Sequence, residues 1–300
     1  MKMKRKTRKV KNYKSPKKIK WAGWKKILLD VKDRIGENNL TIVAAGVAFY
    51  AFLAIFPALM ALLSLYGLAV NPEQAEQQIS QLSGMMPEEA FSIIKERVEN
   101  LISTPGNTLG WGTALGILIS LWSANAGTKS LFRGVDIAYD TRNDRGFIKQ
   151  NALTLLFTFG FIITLLISMA LIVVFPAVVQ AFGLPDNIDT LVSWLRWPLL
   201  AGIVIFVISL VYKYAPYRKS PKFKWVVVGA AVATLLWLVV SLGFSYYVSN
   251  FGNYGEMYGS ISAVVILMLW LFLTSFIILL GAELNAVTER YAEDHFPGNE

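Results

Sequence analysis

The sequence has no cysteine and one histidine, His295. Without cysteine there is no disulfide, thiolate nucleophile or zinc–thiolate centre. That one imidazole lies near a C-terminus expected to be disordered, which removes imidazole clusters and, with them, most metal and triad chemistry. Charge is scarce: 16% of residues are Asp, Glu, Lys or Arg, against about a quarter in soluble domains. It is also uneven, since residues 151–182 and 260–282 carry no charged side chain. Neither a phosphate-binding P-loop nor a GxGxxG turn between strand and helix occurs. No catalytic, cofactor-binding or metal-binding residues, and no cofactor, are expected.

What the chain has is apolar length. Hydrophobic residues make up 55% of it and mean hydropathy is +0.48. Ser260–Ala282 is 23 residues long; at about 1.5 Å per residue that is roughly 35 Å of helix, enough to cross a ~30 Å hydrocarbon core. Similar runs give six expected spans, at about 40–70, 109–126, 151–182, 191–212, 225–248 and 260–282. The fold class is therefore all-α: a polytopic membrane protein with one six-span domain over residues 38–290 and a tail at 291–300.

Residues 1–18 are basic and polar, and are expected to form a disordered cytoplasmic arm. Trp24, Ile27, Leu28, Val31 and Ile35 then recur at helical spacing among Lys25, Lys26, Lys32 and Asp33. That pattern predicts an amphipathic helix over 19–37 lying on the membrane surface. Between spans 1 and 2, residues 72–103 are acidic and carry an apolar stripe, and are expected to form a small helical cap outside the membrane.

Basic residues sort by loop. Residues 1–34 hold 15 Lys and Arg, the 2–3 and 4–5 loops five each, the 1–2 loop two, and the 3–4 and 5–6 connections none. Positive residues stay on the cytoplasmic side, so both termini are expected there. The same sorting accounts for the net charge of +9 without a nucleic-acid partner. The arm lacks the interleaved aromatics of a single-strand binder; its expected partners are membrane lipids with anionic headgroups. The sequence carries no signal of oligomeric state.

Glu283 follows the last charge-free run and is read as ending that helix. Acids at such depth pair with something, and Lys129 and Arg133, at the cytoplasmic end of span 2, are the partners the topology offers. Asn285 and Asn125 extend the candidate network. It reads either as a static interhelical ion pair or as a gating or ion-coupling site. A hinge of Gly252, Tyr254, Gly255, Tyr258 and Gly259 reads as a tight outer turn or as a contact loop. Pro57 is expected to kink span 1, where small residues at Ala44/Ala48 and Ala54/Ala58 suit close helix packing. Asp136, Asp140 and Asp144 follow one another at i, i+4 and i+8, and read as one face of a solvated helix extension.

AAGVAFYAF at Ala44–Phe52, FP at Phe56–Pro57, WSA at Trp122–Ala124 and YKYAPYRKSP at Tyr212–Pro221 resemble the YihY/BrkB family of bacterial inner-membrane proteins. The likeness is densest from Ser241 to Ala286, in SLGFSYYVSNFGNYGEMYGS and LLGAELNA, and covers residues 25 to 290. It implies a six-helix inner-membrane fold and brings no catalytic residues with it. The family's former label, ribonuclease BN, is regarded as mistaken, and envelope and lipid transport roles have been suggested for relatives. Two classes of function follow. One is transport of a lipid or amphipathic solute in the envelope. The other is a non-enzymatic scaffold that anchors a partner protein in an envelope assembly. Ribonuclease chemistry is not expected, because the acids are scattered and no imidazole pair exists.

Overall fold

The computed structural model describes residues 19–69, 106–174, 186–218, 223–251 and 261–295. The basic arm 1–18, the cap 72–103 and the Gly/Tyr hinge lie outside them. The described residues are almost wholly helical, without a strand. In chain order they form α1 (Trp21–Glu37), α2 (Leu40–Ala69), α3 (Gly106–Ala138), α4 (Phe147–Met169, continued by a π turn at Ala170–Val174), α5 (Asp186–Tyr214), α6 (Phe223–Phe251) and α7 (Ile261–His295).

Four stretches are long and apolar enough to cross a membrane: Phe147–Ile172, Trp194–Tyr214, Phe223–Asn250 and Ser262–Asp294. A fifth arises if α1 and Leu40–Ile55, bent by 66° at their junction, count as one span. Leu156, Ile163, Leu235, Val239 and Leu242 on these helices are all more than half exposed. An unbroken apolar surface of that kind marks contact with an apolar solvent, and lipid supplies it.

Two compact units make up the chain: Tyr50–Thr128, and Met1–Phe49 with Lys129–Glu300. Within the first, Gly127 of α3 lies against Ala51 and Ala54 of α2; a Cβ on Gly127 would sit 3.6 Å from Ala54 Cβ. Within the second, Leu40, Ala44 and Val47 of α2 meet Phe132 and Val135 of α3, Val211 and Tyr212 of α5, Val226 and Ala230 of α6, and Leu279 and Ala282 of α7. Small residues recur at these contacts because lipid tails are as apolar as leucine, so close backbone approach decides which helix faces meet.

Three expectations change. The apolar run ends at Ala282, but α7 does not: it continues to His295, because ELNAVTERYAEDH holds no glycine or proline and is rich in helix formers. Glu283 therefore lies inside a helix. Next, α1 does more than lie on a surface. Ile27 and Val31 are buried in a cluster with Trp225, Leu284 and Val287, while Trp21, Leu28 and Leu29 stay exposed on its other side. Lastly, α5 begins at Asp186, ahead of the span start expected at about 191, and runs through Pro198, three turns inside the helix. Pro57 likewise lies inside α2.

The α1–α2 junction is built by asparagines. The N–H of Asn38 donates to Arg34 O at 2.9 Å and closes α1. Asn39 takes φ 47°, a left-handed conformation that Asn tolerates better than most residues. The Asn39 carbonyl then accepts from the N–H of Ile42 and Val43, at 2.9 and 3.1 Å, and opens α2.

Candidate functional site

Glu283 is fully buried. Its Oε2 accepts a hydrogen bond from Asn38 Nδ2 at 2.9 Å, and Arg34 Nε lies 3.8 Å from its Oε1. The other charges around it are Arg290 and Glu37. The pairing read from the sequence with Lys129 and Arg133 is thus replaced by Arg34 and Asn38, from the last turn of α1 and its cap. The physical reason is that α1 docks on α7 through Ile27 and Val31, which brings its polar end onto the carboxylate. Among the described residues Oε1 accepts no hydrogen bond, and the carboxylate is held there by one amide and one long ion pair. Removing either partner of such a pair leaves a buried charge poorly compensated. Beside it, Lys26, Asp30, Arg34 and Glu37 of α1 and Arg290 and Asp294 of α7 line an open, charged cleft of about 330 Å³.

Asn285, two residues on, is a fixed clamp. Its Oδ1 accepts the N–H of Gly229 at 2.7 Å, and its Nδ2 donates to Val226 O at 2.9 Å. Both partners are backbone groups of α6. The helices meet so closely that a Cβ on Gly229 would lie 2.2 Å from Gly281 O and 2.6 Å from Asn285 Cγ. Tyr212 of α5 closes the other side, donating its hydroxyl to Ile278 O at 2.5 Å. This seam between α6 and α7 is closely packed, backbone against backbone.

The basic ends of the helices are tied together. Arg145, just before α4, donates to the carbonyls of Ala215 and Tyr214 at 2.7 Å each, which satisfies acceptors left free at the end of α5. Its guanidinium lies 5.2 Å from the Tyr217 ring centre. Arg218 pairs with Glu289 of α7 and covers the Tyr139 ring at 4.2 Å. Asp136 accepts from Thr141 Oγ1 at 3.0 Å and from the Tyr217 N–H at 3.4 Å. Burial pushes the Asp136 carboxyl above its usual range, opposed by those two donors and by Arg145. Burial, with Glu289 nearby, also raises Tyr139. The three aspartates share no helix face, because α3 stops at Ala138 and Asp140 turns left-handed at φ 53°.

The buried hydroxyls of the spans mostly turn back on their own helices. Thr158 donates to Thr154 O, Ser209 to Ile205 O, Thr234 to Ala230 O and Thr288 to Leu284 O. An apolar groove of about 500 Å³ opens instead between α4 and α5, walled by Leu153, Phe157 and Gly160 on one side and Phe206, Leu210 and Tyr214 on the other. Phe157 braces it, with Phe132 at 5.1 Å and Tyr214 at 6.3 Å between ring centres.

Of the residues singled out from the sequence, Glu283 and Asn285 share one region of α7. Arg133 is exposed and Lys129 half-buried on α3. Asn125 is fully buried within the Tyr50–Thr128 unit. Sequence reading missed Arg34, Asn38, Arg145, Arg218 and Glu289. The signal for Asn38 was available, since consecutive asparagines after a helical pattern mark a cap. Nothing in the spacing points to the long-range pairs.

A family model described as virulence factor BrkB matches residues 31–300. YfkH of Bacillus subtilis (strain 168), whose name describes it as ribonuclease-like, is 30% identical over 252 residues, 82% of this chain and 89% of its own. A UPF0761 membrane protein of Alteromonas mediterranea is 24% identical over 273 residues, 88% of this chain and 89% of its own. Another, from Tolumonas auensis, is 39% identical over 79 residues, 26% of each chain. No solved structure matches.

Proposed function

The chain belongs to the virulence factor BrkB family and is an integral membrane protein; on that premise we propose that it moves lipid across or along a bacterial inner membrane, with six spans and both termini cytoplasmic. The observation that carries this reading is the lateral groove between α4 and α5, walled by apolar and aromatic side chains. A water-soluble substrate needs polar groups aimed into a path, but the buried hydroxyls noted above are spent on their own helix carbonyls. A groove on the lipid-facing side suits a substrate already dissolved in the bilayer. The ribonuclease wording in the name of YfkH is not extended to this chain: Asp136, Glu283 and Glu289 each hold a hydrogen bond or ion pair within the fold.

Purified full-length protein in liposomes containing a headgroup-labelled fluorescent phospholipid tests the proposal. Dithionite added outside should bleach the inner-leaflet lipid faster than in protein-free vesicles. Equal rates would overturn it. The charged cleft between α1 and α7 favours a second reading, a scaffold that docks a partner protein there. In-membrane crosslinking from Lys26 that recovers no protein partner would remove that reading.

A further inference from the structure

We infer that the α4/α5 groove is a binding site for an anionic phospholipid of the adjacent leaflet, one acyl chain lying between Phe157 and Leu210 and the phosphate held at the groove mouth by Lys149 and Lys213. The inference rests on the lipid-handling reading above and names the headgroup class at that same groove.

The apolar walls cannot select among lipids. An acyl chain leaving the bilayer for an apolar groove gains no hydrophobic free energy, because its surroundings are equally apolar on both sides. Selection must come from the end of the groove, where charge meets the headgroup layer. Lys149 lies in the first turn of α4, one turn before Leu153, on the face that walls the groove. Lys213 lies in the last turn of α5. Its Nζ is 5.1 Å from the Tyr214 ring centre and 5.8 Å from that of Phe223, and Tyr214 itself walls the groove. The two rings hold the ammonium at the mouth instead of letting it swing into solvent. Arg145 adds positive charge there while its N–H groups cap α5. The two acids of that loop, Asp140 and Asp144, are exposed, the loop also carries Arg142, and residues 213–224 contain no acid, so the mouth is net basic. Each ammonium near an anionic headgroup layer is expected to raise the preference about fivefold, so two give roughly 25-fold.

Gly160 provides the control on the chain half of the site. A Cβ there would meet nothing within 4 Å, so the side chain of Gly160→Leu starts in open space and extends into the groove that Gly160 lines. The experiment is native mass spectrometry of the full chain released from nanodiscs holding equal phosphatidylglycerol and phosphatidylcholine. Wild type should retain phosphatidylglycerol at least tenfold over phosphatidylcholine. Lys149→Gln with Lys213→Gln should retain both lipids about equally, and Lys149→Gln with Lys213→Arg should recover a preference of about fivefold. Gly160→Leu should retain little of either. Equal retention by wild type, or an unchanged preference in the double lysine variant, would overturn the inference. So would a Gly160→Leu protein that keeps its lipid. The two readings fail separately: faster bleaching in liposomes without headgroup preference refutes only this site, and selective retention without faster bleaching refutes only the transport reading.

Discussion

Gly229→Ala should be among the most damaging single-methyl changes in the described bundle, and Gly243→Ala, on the same helix, among the most benign. Gly229 faces α7. Its added Cβ would lie 2.2 Å from a backbone oxygen, that of Gly281, and 2.6 Å from Asn285 Cγ and Nδ2. Ordinary contact begins near 3.4 Å, so α6 and α7 must part by about an ångström. Forcing extra atoms into a packed contact costs roughly 1–3 kcal/mol. Parting also stretches the two Asn285 hydrogen bonds, and such bonds in membrane proteins average about 0.6 kcal/mol each. The expected loss is therefore about 2–4 kcal/mol. Gly243 is open on all sides, so alanine there meets nothing and gains about 0.5–1 kcal/mol from helix propensity. Reversible unfolding in mixed micelles at rising SDS fraction measures both. If Gly229→Ala lies within half a kcal/mol of wild type, the close-packed seam described here is wrong. If Gly243→Ala is equally damaging, proximity to α7 is not the cause.

The remaining predictions concern the polar end. Asn38→Ala removes the one hydrogen-bond donor to a buried carboxylate among the described residues and should cost about 1.5–3 kcal/mol; in a Glu283→Gln background the same change should cost much less, which a double-mutant cycle in micelles reads directly. Asn39→Ala strains a residue at φ 47° and should lower stability by about 1–2 kcal/mol, with Asn39→Gly neutral. The Asp136 carboxyl, raised by burial above its usual 3.8, binds its proton more tightly folded than unfolded. Its contribution to stability is therefore fully present below the unfolded value and lost as pH rises through the folded one. Asp136→Asn should flatten that part of the thermal-unfolding profile from pH 4 upward; an unchanged slope would locate the titration elsewhere.

Composition made the membrane fold legible. Charge-free runs longer than a bilayer is thick leave the chain no other solvent, and α4 to α7 lie where those runs are. Helix ends were less legible, for a consistent reason. Apolarity marks where lipid stops, whereas a helix stops where capping or a breaker ends it. Hence α7 carries Glu283 three turns from its end. The same error placed Asp136, Asp140 and Asp144 on one helix, when a left-handed Asp140 breaks the pattern just after the first of them. The depth of Glu283 was readable, since an acid flanked by glycine, alanine and leucine must be covered by something. Its partner was not, because Arg34 and Asn38 lie about 245 residues away along the chain and reach it only through the docking of Ile27 and Val31. The groove has no sequence signature at all: Leu153, Phe157, Leu210 and Tyr214 look like any lipid-facing stripe until the fold sets them around one groove.

The central claim is that lipid occupies the space between α4 and α5. A phospholipid carrying a photoactivatable diazirine midway along one acyl chain, crosslinked to the full chain in liposomes and mapped by peptide sequencing, tests it most directly. Adducts concentrated on residues 153–164 and 206–214, and lost in Gly160→Leu, are the predicted result. Adducts spread evenly over other exposed apolar faces, such as Leu235, Val239 and Leu242 on α6, would contradict it.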